Sequence, residues 1–157
     1  KDQLAFAVIT VSNTRTEETD KSGKIIKEMM TSKGHRLARY NVVKDDQGSV
    51  LAEFEACLSD PKICILISNG GTGVAMRDGT YEVVTSLLEK TLSGFGEIFR
   101  MLSYDDIGPG AIMSRATAGI AQGKVVFAIP GSSGAVRLAM EKIILEEATH
   151  LYWEITK

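Results

Sequence analysis

Residues Ile63-Cys-Ile-Leu-Ile-Ser-Asn-Gly-Gly-Thr-Gly73 decide the fold. The apolar half reads as a strand buried on both faces, the kind found in parallel sheets covered by helices. It empties into a turn with glycine at 70, 71 and 73, and Arg77-Asp78 follows. Glycines leave backbone N–H groups uncovered and permit positive φ, so such a turn can wrap an anionic oxygen. A phosphate ester suits it. Asp78 would repel that phosphate unless a divalent cation sits between them. A plain strand-to-helix connection also uses glycine, but three glycines within four residues exceed its needs.

Working outward, the run from Leu4 to Val11 predicts another buried strand, ending at Ser12-Asn-Thr14. After a polar segment from Arg15 to Lys21, apolar residues at 25, 26, 29 and 30 predict a helix that stops at Gly34. His35 to Val43 reads as the next strand and ends at Lys44-Asp-Asp46. Val50, Leu51, Phe54 and Leu58 mark a helix led in by Gln47-Gly-Ser49 and broken at Asp60-Pro61. This βαβαβ order implies a parallel sheet. Helices are expected over 81–89 and 96–104. Strands over 115–120 and 124–129, separated by Ala121-Gln-Gly123, are close enough to pair as an antiparallel hairpin. Pro130-Gly-Ser-Ser-Gly134 opens a last long helix, and Leu151 to Ile155 reads as a closing strand. The fold class is therefore α/β, a three-layer α/β/α sandwich on a mostly parallel mixed sheet with one antiparallel hairpin.

With 157 residues, 44% of them hydrophobic, the chain fits one domain over residues 1–157. Its 18 lysines and arginines against 20 aspartates and glutamates give a net charge of −2, which argues against nucleic acid as a bulk electrostatic partner and for a small ligand. No apolar run approaches the roughly 20 residues of a spanning helix, and the charged-then-apolar pattern of a secretory signal is missing, so a cytoplasmic protein with no membrane partner is expected. Lys1 in first place leaves open a trimmed leader. Cys57 and Cys64 read as buried free thiols, and His35 and His150 as surface residues at element boundaries, with no metal-ligand spacing among them.

In open α/β sheets ligands gather beyond the carboxyl ends of the strands. Four such turns carry chemistry: Ser12-Asn13, Asp45-Asp46, Gly70 to Gly73 with Asp78, and Pro130-Gly131-Ser132. Each residue also has a plainer reading. Ser132 can be a helix N-cap, Asp45 and Asp46 solvated loop charges, and Asp78 a cap for the helix near Thr80. Two anion-binding turns beside two acidic turns fit a phosphoryl or nucleotidyl transfer site with magnesium. The P-loop signature is absent, because no lysine and serine or threonine follow the glycine turn, and Gly94-Phe-Gly96 lacks the dinucleotide fingerprint.

Taken together, Gly70-Gly-Thr-Gly73, Arg77-Asp78, Thr80 and Glu82, Gly94-Phe-Gly-Glu97 with Phe99-Arg100, Ser114-Arg115-Ala116 and Pro130-Gly-Ser132 with Ala135-Val136 resemble the MoaB/Mog family of molybdenum cofactor biosynthesis. The likeness runs from the first strand to about His150, and Phe99 to Gly108 looks more like the MoaB branch than the Mog branch. The resemblance implies a homotrimer, or a homohexamer of two trimers. It also implies that molybdopterin and ATP are substrates and Mg2+ a cofactor, with the terminal phosphate of molybdopterin adenylylated and pyrophosphate released. By the same resemblance Asp45 and Asp78 are catalytic and metal-positioning. Gly71, Thr72, Gly73 and Ser132 bind phosphate, Gly70, Pro130 and Gly131 are substrate-binding members of the same turns, Ser12 lies near the nucleotide, and Ser114 with Arg115 lies near the pterin. Asn69 stands where a threonine is usual, Tyr81 interrupts an Asp-x-Thr-Pro-Glu pattern, and Ser133 replaces a proline. A member of the same pathway that binds molybdopterin or assembles without catalysis is the alternative, and hydrolysis of a phosphorylated small molecule is a third reading.

Overall fold

The computed structural model describes residues 3–157. Six strands form one sheet in the order β2-β1-β3-β6-β5-β4. β1 (Ala5–Val11), β2 (Arg36–Val43), β3 (Ile65–Asn69) and β6 (Lys124–Ile129) run parallel, and β5 (Thr117–Ala121) runs against both β6 and the two-residue β4 (Lys90–Thr91). The expected hairpin is present; β4 is too short to leave a sequence signal.

Strand alternation divides the core into two layers. Phe6, Val8, Ile65, Ile67, Val125 and Phe127 face one side, where α1 (Lys21–Ser32), α4 (Ser93–Ile107), α5 (Ser133–Ala139) and α6 (Leu145–Ile155) supply Ile26, Met30, Phe99, Val136 and Ala148. Ala7, Ile9, Leu66, Val126 and Ala128 face the other, under α2 (Gln47–Leu58) and α3 (Thr80–Leu87), which bring Val50, Phe54, Val83 and Val84. The result is the expected three-layer sandwich.

Four expectations are corrected. Leu151 to Ile155 is not a strand but the end of α6, and Ala148, Leu151, Tyr152 and Ile155 continue the inward stripe of α5. The two helices are joined by a π-turn, Met140–Ile144, whose extra residue per turn keeps Met140 and Ile144 facing inward. His35 is buried rather than superficial: its Nδ1 accepts the Leu4 N–H at 3.1 Å, and burial, then Lys33, holds its pKa below the ordinary histidine value. His150 lies within α6, not at a boundary. Cys64 is half-exposed, whereas Cys57 is fully buried and burial pushes its thiol up to about 12.

The edge strand β2 is tied to α2 by a carboxylate. Glu53 accepts Arg39 Nε at 2.8 Å, Arg39 Nη2 at 3.1 Å and Asn41 Nδ2 at 2.8 Å. Burial works to raise its pKa, but the Arg39 and Asn41 bonds outweigh it and hold the group below the ordinary glutamate value. A depressed folded pKa means that stabilisation is present above the unfolded value and is lost as pH falls from there through the folded value. Arg39→Met should therefore cost about 1.5 kcal/mol near neutrality, the low end for a charged hydrogen bond because Arg39 keeps 39% of its side chain exposed. In urea denaturation that difference should shrink as the pH is lowered toward the carboxylate range.

Candidate functional site

Register aligns the ends of the four parallel strands. Val43 pairs with Val11, Thr10 with Asn69, and Asn69 with Ile129, so the turns that begin at Lys44, Ser12, Gly70 and Pro130 leave the sheet in one layer. Backbone bonds tie them: Ser12 N–H to the Val43 carbonyl at 2.9 Å and Gly70 N–H to the Ile129 carbonyl at 2.9 Å. Gly131 packs directly on Gly70, and a Cβ on Gly131 would lie 3.2 Å from the Gly70 Cα. The glycine turn and the Pro130–Ser132 turn are thus neighbours on one edge.

Gly70 and Gly71 take φ of +100° and +73°, as the sequence requires. A Cβ on Gly70 would lie 2.3 Å from the Val11 carbonyl oxygen, and one on Gly71 2.2 Å from Thr80 Oγ1. Thr72 is buried and Gly73 half-buried. Ser132 caps α5, its Oγ accepting Ala135 N–H at 3.2 Å, so its plainer role is real, and the residue is also exposed beside Gly131. Ser12 Oγ accepts Arg15 N–H at 3.0 Å and Thr14 N–H at 3.2 Å.

The two carboxylates at 45 and 46 have opposite environments. Asp46 caps α2, accepting Ser49 N–H at 2.8 Å, and this bond holds its pKa below the usual aspartate value. Asp45 turns the other way. Its N–H donates to Asn13 Oδ1 at 2.9 Å, while its Oδ1 is buried with no hydrogen-bond partner. Burial first, then the Asp78 charge, raises its pKa, with Asp46 adding and Arg77 opposing. Asp78 does not cap α3, whose N-cap is Gly79. Its Oδ2 accepts Ala75 N–H at 3.0 Å, and a Cβ on Gly73 would lie 2.7 Å from it. Asp78 is therefore fixed at the glycine turn, and its charge is felt by Asp45. An orphaned buried carboxylate oxygen near a second carboxylate is a donor set that fits Mg2+, which keeps waters and substrate phosphates as its other ligands. Among the described residues no cluster of three or more His, Cys, Asp or Glu exists to cage a metal alone.

Ser114 and Arg115 stand on the far side of the same turn. Arg115 donates its N–H to the Thr72 carbonyl at 2.9 Å, Nε to the Gly73 carbonyl at 3.0 Å and Nη2 to the Asp78 carbonyl at 2.9 Å. It also pairs with Glu82 and stacks on the Tyr81 ring at 5.0 Å. Beyond it lies a cavity of about 400 Å3 lined by Tyr81, Glu97, Arg100, Ile112, Ser114 and Arg115 among others, within the range of small-molecule pockets. Asp45, Asp78 and Ser132 lie outside it. The site has two parts joined by Arg115.

Sequence reasoning missed what lies beneath the turns. Asp20, with its side chain fully buried, caps α1 and accepts Thr10 Oγ1 and Tyr40 Oη, each at 2.6 Å. Asn69 donates to Thr10 Oγ1 at 2.9 Å. Arg15 lies 3.8 Å from Asp20 and donates to the Gly131 carbonyl at 2.8 Å, where Ser22 Oγ also donates at 2.7 Å. The unusual Asn69 is thus part of a network that a threonine would fill differently. The available signal was an aspartate directly before a helix start.

The fold and its clustered turns define an open-sheet α/β protein with its polar residues gathered at the strand ends. Residues 7–150 match the family described as a probable molybdopterin binding domain. The chain is 54% identical over 157 residues to molybdenum cofactor biosynthesis protein B of Bacillus subtilis, covering 99% of this chain and 92% of that one. A crystal structure of a molybdenum cofactor biosynthesis protein B superposes with a TM-score of 0.95 at 47% identity, covering 98% and 96% of the two chains. The tungsten cofactor synthesizing protein MoaB from Pyrococcus furiosus gives 0.88 at 39% identity, over 99% and 98%. The chain belongs to this MoaB/Mog family of molybdenum cofactor biosynthesis proteins, on its MoaB side.

A raised folded pKa means that the native state holds its proton more tightly than the unfolded chain, so Asp45 lowers stability as pH rises through the interval between the two values. Asp45→Asn should accordingly raise the melting temperature near pH 7.5 in metal-free buffer. The gain should vanish below about pH 4, where the native carboxyl is protonated in both states; scanning calorimetry across this range checks it.

Proposed function

We propose that this protein binds molybdopterin and adenylylates its terminal phosphate with Mg-ATP, releasing pyrophosphate. The observation that carries the reading is the meeting of the Gly70–Gly73 turn and the Pro130–Ser132 turn at one level of the sheet, with Asp78 at the first turn and the unpartnered Asp45 on the neighbouring strand end. Joining two phosphorylated substrates requires their repulsion to be offset at the point of transfer. Backbone N–H groups of Gly71, Thr72 and Gly73 and the Ser132 hydroxyl hold phosphate oxygens, and Ser12 faces the nucleotide. The cavity beside Arg115 and Ser114 takes the pterin, with Tyr81 offering a stacking face.

In the transfer, an oxygen of the molybdopterin phosphate forms a bond to the α-phosphorus of ATP. The bond from that phosphorus to the β-bridging oxygen breaks, and pyrophosphate leaves with the electron pair. Asp45 and Asp78 would hold Mg2+, which when bound supplies positive charge against the phosphate oxygens. Protein dipoles need not reorganise, because Arg115 already fixes the carbonyls of Thr72, Gly73 and Asp78 and so aims the turn's N–H groups. Residues 1–157 act as one domain in the cytoplasm. The exposed apolar side chains Ile98, Met101, Tyr104 and Ile107 on α4, with Ile112 and Met113, support assembly as a homotrimer or a homohexamer.

Retention of both carboxylates favours transfer over binding alone. Pyrophosphate release from Mg-ATP with molybdopterin should fall by about 100-fold in Asp78→Asn, in line with the loss of one preorganised electrostatic contact, while molybdopterin affinity is kept. If the native chain binds the pterin yet releases no pyrophosphate, the non-catalytic reading replaces this one.

A further inference from the structure

Outside the turns and the cavity, a separate hollow of about 410 Å3 lies between the N-terminal half of α1 and the start of α5. It is lined by Lys21, Lys24, Ile25, Glu28, Ser133 and Arg137. Three cations share it with one carboxylate, on a chain whose net charge is −2. Among the described residues neither Lys21, Lys24 nor Arg137 makes an ion pair, although Glu28 stands in the same hollow.

The helix on which the lysines sit does not favour them. Lys21 and Lys24 occupy the first turns of α1, the positive end of a 12-residue helix with no acidic residue in its first turn, where cations are unfavourable. Asp20 caps this end by accepting the Gly23 N–H, but its carboxylate is also taken up by Thr10, Tyr40 and Arg15 and forms no pair with either lysine. Cations left without an ion-pair partner beside the candidate phosphate turn mark a place where an anionic ligand can supply the opposite charge. The hollow also adjoins the phosphate turn: Ser133 follows Ser132, and Ser22 of α1 donates to the Gly131 carbonyl.

We propose that this hollow is a polyphosphate subsite, taking the β- and γ-phosphates of a nucleoside triphosphate whose α-phosphate lies at the Gly70–Gly73 and Ser132 turns. The nucleotide part rests on the transfer reading above, whereas binding of the anion does not. Lys24 and Arg137 reach in from two helices and would release pyrophosphate after transfer, since exposed cations screened by salt hold an anion reversibly.

The test uses inorganic tripolyphosphate, ATP and AMP by titration calorimetry in magnesium-free buffer, with native protein, the double variant Lys24→Ala/Arg137→Ala and the charge-reversed Lys24→Glu. Melting curves check that each variant is folded. Tripolyphosphate should bind the native chain with a strongly salt-dependent affinity. The double variant should lose about tenfold or more for tripolyphosphate and ATP, on the scale of one charge-assisted hydrogen bond, and nothing for AMP. Lys24→Glu should lose at least as much. Absent saturable tripolyphosphate binding, or equal affinity in native, double and charge-reversed proteins, overturns the subsite. Pyrophosphate release that continues with an unchanged KM for ATP in the double variant sinks the subsite and spares the transfer reading. Tripolyphosphate binding that is lost in the double variant, with no adenylyl transfer by the native chain, keeps the subsite and sinks transfer.

Discussion

Two glycines touching across the end of the sheet set the geometry of everything above it. Gly131 lies against Gly70, which in turn lies against the Val11 carbonyl, so the turns after β1, β3 and β6 meet through backbone with no side chain between them. Any Cβ on Gly70 would both require a left-handed backbone that side chains avoid and collide with that carbonyl. The close approach lets Arg15 and Ser22 converge on one carbonyl, that of Gly131. Pairing register makes the approach possible, since Thr10, Asn69 and Ile129 sit side by side where the strands finish.

Charge is distributed over this edge unevenly. Of two adjacent aspartates, Asp46 is spent on capping α2, and its carboxylate is satisfied by Ser49; Asp45, one residue earlier, is left with an unpaired buried oxygen and a like charge opposite. Neighbouring carboxyls are thus driven in opposite directions by their surroundings, one satisfied by its cap and the other left unpaired. Beneath them the buried Asp20 carboxylate is fully engaged by Thr10, Tyr40, the Gly23 N–H and Arg15. Electrostatic tension is therefore confined to the exposed layer, while the layer below is hydrogen-bonded and fixed.

Much of the architecture was legible because strand ends carry compact chemistry. Glycine, proline, serine and aspartate at turns are short-range signals, and the buried runs Leu4–Val11 and Ile63–Ile67 leave few alternatives to a parallel sheet. The closing segment was misread because Leu151-Tyr-Trp-Glu-Ile155 has strand-like composition, and its helical phase is visible only when the π-turn before it is counted. Long-range partners were illegible for a different reason. That Arg115 would clasp a turn more than forty residues earlier, or that Asn69 would join Thr10 to Arg15, depends on strand register and not on any local pattern. His35 likewise looked superficial because its flanks are polar, but the start of β1 needed an acceptor at that point.

Tyr81 shows how a departure from a family pattern can be absorbed without losing the site. A proline there would pre-set the first turn of α3 by fixing φ; tyrosine gives up that stiffness. The compensation comes from Arg115, whose guanidinium lies over the Tyr81 ring, pairs with Glu82 one residue on, and reaches the carbonyls of Gly73 and Asp78. Backbone rigidity is thereby exchanged for a side-chain brace that spans the glycine turn and the neighbouring cavity at once. Because one residue both holds the turn and lines the cavity, a ligand in the cavity that moves Arg115 must also move the peptide planes that carry the N–H groups of residues 73 and 74, which couples the turn to the cavity mechanically.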